Sequence, residues 1–166
     1  MKIMNKIMAA AVALAACGCG SGKIVTNQDN EKTAEKYANP LLTDFNTPHG
    51  IAPFASITID NYREGMLLGM EEQKKEIEAI TNNSEAPTFE NTIVALDQCG
   101  KLLRKVRGTF SPLASSNSNE AMRALQKEMS PLFSAHNDDI YLNEQLFARV
   151  KAVYDSRESL TLTAEE

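Results

Sequence analysis

Pro87-Thr-Phe-Glu-Asn-Thr-Ile93 opens an apolar series that continues through Leu96, Leu103, Val106, Phe110 and Leu113. The spacing is that of one face of a helix. Thr88, directly after a proline, is the start signal: its hydroxyl can accept from backbone N–H groups that the first turn leaves unpaired. The series therefore predicts a single helix from about Thr88 to between Leu113 and Ser116, with Gly100 on its apolar face.

Working outward, three more helices follow from the same argument. Tyr62, Met66, Met70, Ile77 and Ile80 recur at helical spacing, with Asp60 as the expected cap and an end near Asn82. After Ser118 or Asn119, Met122, Leu125, Met129, Leu132 and His136 form another stripe. A last helix after Asn143 offers Leu146, Phe147, Val150, Val153 and Tyr154. Short polar connections make sequential helices antiparallel by default. Pro112 and Pro131 are expected to kink or end their helices. Gly65 and Gly69 form a small-x-x-x-small pair. The charged residues around them, Glu64, Glu71, Glu72, Lys74 and Lys75, exclude a membrane span, so close helix packing is the expected use. The fold class is all-α, with about four mainly antiparallel helices.

Upstream, 39–58 mixes Pro40, Pro48, Gly50 and Pro53 with Leu41, Leu42, Phe45, Ile51 and Phe54. Proline disfavours helix there while the apolar side chains need a surface, so an extended Pro-rich strap is expected. Residues 17–38 are polar and Gly/Ser-containing and read as a flexible, disordered tether, whose reach would be roughly 25 Å. Lys2 and Lys6 precede an apolar run from Ile7 to Ala16, too short to span hydrocarbon. With Leu14-Ala-Ala-Cys17, residues 1–16 match a bacterial lipoprotein signal peptide. Cys17 would become the lipid-bearing N-terminus, anchoring the protein in the cell envelope, facing the periplasm.

The 166 residues have room for one domain, and 43% hydrophobic with 23% charged residues is a globular composition. A formal charge of −5 without a cluster of cations excludes nucleic acid as a partner. The densest basic stretch, Lys101 to Arg107, alternates with the Leu103/Val106 stripe and reads as a solvated helix face. Three cysteines give no disulfide framework, and Cys99 reads as a small core-edge residue.

The opening segment, with Ile80-Thr-Asn-Asn83 before it and Ala95-Leu-Asp-Gln-Cys-Gly100 after, resembles the N-terminal region of the thimet oligopeptidase family of zinc metallopeptidases, in particular its peptidyl-dipeptidase branch. Asn39-Pro-Leu-Leu42, Pro48-His-Gly50, Pro53-Phe54, Ile57 and Tyr62-Arg-Glu-Gly65 extend the likeness upstream. Leu125-Gln-Lys-Glu-Met-Ser-Pro-Leu132, His136-Asn-Asp-Asp-Ile140, Leu142-Asn143 and Leu146-Phe-Ala-Arg-Val-Lys151 extend it downstream to Tyr154. Phe45 and Asn61 depart from it, standing where tryptophan and histidine are common. The resemblance implies an N-terminal helical region, 39–166, forming one wall of a channel that admits short peptides. The zinc, the general base and the metal ligands would belong to a catalytic part of the full-length parent.

No self-sufficient active site is legible in the residues. A catalytic zinc needs about three side-chain ligands and an open position, and this chain has only His49 and His136. His49 lies in the strap. His136 has Asp139 three residues on, at most half a site. The family's His-Glu-x-x-His is absent, as are a Gly-x-Ser-x-Gly turn and a P-loop. No catalytic residue, metal ligand or cofactor is therefore assigned to this chain. The expected identity is the N-terminal portion of a peptidyl-dipeptidase-like zinc metallopeptidase, itself inactive. The alternative is a free-standing helical envelope lipoprotein that binds a peptide or protein.

Overall fold

The computed structural model describes residues 39–160 and 163, all within the unit Asn39–Glu166. The expected signal peptide and tether, with Cys17, lie outside the described residues. Among the described residues the fold is all-α. Four long helices are α1 (Ile59–Thr81), α2 (Lys101–Ser116), α3 (Glu120–Tyr141) and α4 (Glu144–Asp155).

Three of the four long helices, α1, α3 and α4, begin where a short polar side chain closes the first turn. Asn119 accepts from Met122 N–H and Asn143 from Leu146 N–H, both at 2.9 Å. For α1 the cap is Thr58 and not Asp60. Thr58 Oγ1 accepts from Asn61 N–H at 3.2 Å and Asn61 Oδ1 accepts from Thr58 N–H at 2.9 Å. Reciprocal satisfaction of two orphan donors outweighs what a lone aspartate one turn in could do.

The series opened by Thr88 is not one helix. Thr88 does cap it, with Asn91 completing the same reciprocal box. The first turn is a π-turn, Phe89–Val94, in which Ala95 N–H reaches back five residues to Glu90 O. A short α-turn, Ala95–Gln98, follows and stops at Cys99. Gly100 then adopts φ +71°, and α2 starts afresh from it. A left-handed residue ends a helix, and glycine bears that conformation without a Cβ penalty. Gly100 is thus the break between two helices, contrary to its expected place on one apolar face.

α1 is the spine. α2 and α3 both pack along it, and α4 packs at its C-terminal end. Gln73, Gly69 and Gly65 of α1 meet Gly100, Leu103 and Val106 in turn, so α1 and α2 run antiparallel. Arg63 pairs with Glu128 and Gln73 with His136, so α3 runs back along α1 in the parallel sense. A Cβ on Gly69 would lie 2.8 Å from Leu103 Cα, which shows the close approach expected of the glycine pair. Pro112 and Pro131 end neither helix.

Two apolar clusters result. The larger joins Leu41, Tyr62, Met66, Leu103, Val106, Phe110, Met122, Leu125 and Met129. The smaller joins Ile77, Ile80, Cys99 and Leu146. Leu132, Phe147 and Tyr154, expected on inward stripes, are instead exposed. Each lies about 100° around its helix from a residue that does pack inward: Phe133, Leu146 and Val153 respectively. The strap is extended but punctuated by three single turns, Pro40–Leu42, Pro48–Gly50 and Phe54–Ser56. Asn39 fastens its start: Oδ1 accepts from Leu41 N–H, while Nδ2 donates to Asn61 O at 2.8 Å and Glu64 Oε2 at 3.0 Å. Leu41 is thereby fully buried in the larger cluster.

Candidate functional site

The motif that decides the fold also builds the most connected polar site among the described residues. Asn91 closes the Thr88 box, donates from Nδ2 to Ala86 O at 2.9 Å, and accepts at Oδ1 from the buried Thr92 hydroxyl at 2.9 Å. Into this knot α4 sends Arg149. Its Nη1 donates to Asn83 O at 2.8 Å and Glu85 O at 3.3 Å, and its Nη2 donates to Asn91 Oδ1 at 3.1 Å. Arg149 is 9% exposed and pairs with no carboxylate among the ion pairs of the described residues. A buried cation is costly unless hydrogen-bonded, and here carbonyl and amide oxygens take that part.

Beside the knot lies a groove of about 420 Å³, lined by Glu76, Ile80, Asn83, Asn91, Ala95 and Cys99 among others. Glu76 accepts from Gly100 N–H at 2.6 Å, compensating the orphan donors where α2 begins. Cys99 is buried, and its thiol donates to Ala95 O at 3.2 Å. Burial first, and the Glu76 carboxylate second, push its pKa up. A thiol so placed stays protonated and is a poor nucleophile. The groove holds polar side chains that can orient a bound chain, and no nucleophile–base pair.

A second groove separates α2 from α3, which both lie on α1. Its floor includes Met66, Phe110 and Met129, and its walls carry Arg107, Ser111 and Asn137, in adjoining spaces of about 370 and 640 Å³. Arg107 lies over the Phe133 ring, 4.7 Å from the centroid, and the basic stretch 101–107 is not a continuous face. Lys105 turns the other way, over Phe45 at 4.7 Å and onto Thr43 O at 2.6 Å.

The two histidines are far apart in role. His49 sits in the strap at φ +63° and is exposed. His136 is buried, with Nε2 2.9 Å from Gln73 Oε1. Burial lowers its pKa; Asp139 opposes this and Lys74 adds to it. Among the described residues no group of three or more His, Cys, Asp or Glu is placed to hold a metal ion. The zinc implied by the resemblance therefore finds no fitting donor set in them. Arg149 and the Asn91 hub are the residues that sequence reasoning missed. A signal for the hub existed: Thr58-Ile-Asp-Asn61 and Thr88-Phe-Glu-Asn91 repeat one threonine–apolar–acid–asparagine pattern.

No family model matches the chain. It is 39% identical over 127 residues to dipeptidyl carboxypeptidase of Escherichia coli (strain K12), and equally to that of Salmonella typhimurium (strain LT2). The match takes in 76% of this chain and 19% of each relative, so the chain spans about a fifth of the length of the curated relatives it matches. A match of that length within 166 residues includes both capping boxes wherever it begins.

Proposed function

We propose that this helical unit is scaffold for a dipeptidyl-carboxypeptidase-type peptidase, forming part of the wall along which short peptides reach the reaction centre. The observation that carries the reading is the 39% identity through the region holding the capping boxes and the α1–α2 contact. The peptide-bond chemistry is assigned to parts of such an enzyme outside the described residues, and the zinc of the full-length protein with it. When bound there, zinc would polarise the scissile carbonyl. What this chain contributes is position: Arg149, the Asn91 hub and Gly100 hold α1, α2 and α4 in one arrangement beside two open grooves. Cys17 is proposed as the lipid attachment that holds the protein at the cell envelope.

The test is release of C-terminal dipeptides from a blocked peptide. The purified 166-residue chain should show no turnover with added zinc, and DNA downstream of its last codon should encode His-Glu-x-x-His. Chelator-sensitive turnover by the pure chain would overturn the scaffold role. An intergenic region downstream would favour the free-standing binding module. Cys17→Ser should abolish fatty-acid labelling, and unchanged labelling would refute the anchor.

A further inference from the structure

The walls of the groove between α2 and α3 carry hydrogen-bonding groups that the chain itself does not use. Ser111, Ser130, Ser134 and Asn137 line it, and none of their side chains makes a hydrogen bond among the described residues. Serines of α2 outside the groove behave otherwise: Ser115 Oγ donates to Ser111 O at 2.9 Å and Ser116 Oγ to Pro112 O at 2.8 Å. Pro112 adds a backbone acceptor. It has no N–H, so Gly108 O lacks the donor that a helix ordinarily supplies four residues on. Gly108 and Pro112 both line the larger space, and a Cβ on Gly108 would meet nothing within 4 Å, so there is room for a chain beside it.

The charge of the groove is one-sided. Among the described residues no Asp or Glu lines either space, although the chain has 22 of them. Arg104 is committed to the carbonyls of Cys99 and Asp97. Arg107 makes neither hydrogen bond nor ion pair among the described residues. Stacking over the Phe133 ring occupies the face of its planar guanidinium and leaves the N–H edge for a carboxylate.

We propose that this groove binds an extended peptide segment, with an Asp or Glu side chain of the peptide on Arg107, an apolar side chain over Met66, Phe110 and Met129, and a backbone N–H on Gly108 O. Spaces of about 370 and 640 Å³ are of the size that holds small ligands. A helix from the rest of the enzyme is the poorer occupant, since its apolar face would bury Arg107 and the unbonded polar groups without partners. The choice of anion rests on the channel-wall reading. Release of a C-terminal dipeptide takes the α-carboxylate to the reaction centre, which that reading assigns to parts outside the described residues. The stretch of peptide left along this wall is the upstream one, whose anions are side chains. Arg107 is then a specificity-determining residue for an acidic position upstream of the cleaved bond.

The experiment titrates the full chain calorimetrically with acetyl-Ala-Glu-Ala-Phe-Ala-amide, with the same peptide carrying Gln for Glu, and with that Gln peptide as the free acid. The Glu amide should bind at least about fivefold more tightly than the Gln amide, because only it brings a carboxylate to Arg107. Arg107→Gln should bring the two amides within about twofold of each other. Arg123→Gln, which removes an exposed arginine of α3 outside the groove, should keep the preference. Pro112→Ala returns a donor to Gly108 O and should weaken both amides about threefold with their ratio unchanged. Equal binding of the Glu and Gln amides, no binding of either, or the same loss in Arg123→Gln as in Arg107→Gln overturns the site. Full affinity in Pro112→Ala overturns the docking of peptide backbone along α2. A Gln free acid that binds as tightly as the Glu amide overturns the side-chain assignment and gives Arg107 to the peptide's C-terminus. The two readings fail separately. Glu-selective binding by a chain whose downstream DNA is intergenic keeps the groove and overturns the channel wall; absent binding beside a downstream His-Glu-x-x-His does the reverse.

Discussion

Arg149 Nη2 lies 3.1 Å from Asn91 Oδ1, joining residues 58 apart in sequence and tying α4 to the capping box that starts the π-turn. The same guanidinium holds the carbonyls of Asn83 and Glu85, so one side chain fixes the loop after α1, the Thr88 cap and α4 together.

Arg149→Met should therefore cost about 1–3 kcal/mol, because it removes three hydrogen bonds made by a charged donor to half-buried and exposed acceptors. Asn91→Ala should cost a similar amount through the cap and the hub. In urea unfolding, the double variant should fall short of the sum by about 1 kcal/mol. Strict additivity would show that the contact carries no energy of its own.

Three glycines should respond in three ways to alanine. Gly69→Ala places a Cβ 2.8 Å from Leu103 Cα, backbone that cannot swing aside, and should destabilise by about 2–3 kcal/mol. Gly100→Ala meets Gln73 Cδ at 2.6 Å and holds φ +71°, so strain of about 1–3 kcal/mol is expected, with Gln73 released from its place beside His136. Gly108→Ala meets nothing within 4 Å inside α2 and should stabilise by roughly 0.5–1 kcal/mol. Thermal melting of the three variants checks the order.

His136 should make stability depend on pH. Its folded pKa is lowered below 6.5, chiefly by burial, so the unfolded chain takes up the proton first as pH falls. The contribution is complete above about pH 6.5 and is lost as pH drops through that value toward the lower folded pKa. Urea midpoints measured from about pH 7.5 to pH 5 should fall less steeply for His136→Gln than for the unsubstituted protein. Equal slopes would assign the pH dependence to other groups.

Cys99 should resist alkylation. In a chain with Cys17 and Cys19 replaced by serine, iodoacetamide at pH 8 should label Cys99 at least about tenfold more slowly folded than in urea, because burial keeps the thiol protonated and inaccessible. Equal rates would mean that the smaller cluster opens freely.

Three helical starts, at Thr88, Asn119 and Asn143, were legible because a cap is a local object. Thr88, Asn119 and Asn143 satisfy N–H groups within three residues of themselves, and a reader of the chain can count that far. Asp60 misled because an acid in the first turn and a true cap are both compatible with one apolar stripe; only the bond between Thr58 and Asn61 separates them. Leu132, Phe147 and Tyr154 misled because apolar periodicity does not say whether a neighbour covers the stripe's edge.

By itself the sequence determined the helical class, the spacing of the stripes and the polar starts at Thr88, Asn119 and Asn143, all interactions spanning a turn or less. Tertiary structure alone decided the break at Gly100, set by Glu76 and the close approach of Gln73 from α1. It alone buried Arg149 in the Asn91 hub and left Phe147 and Tyr154 uncovered. Those outcomes depend on partners 24 to 66 residues away, and neither propensity nor periodicity carries information over that distance.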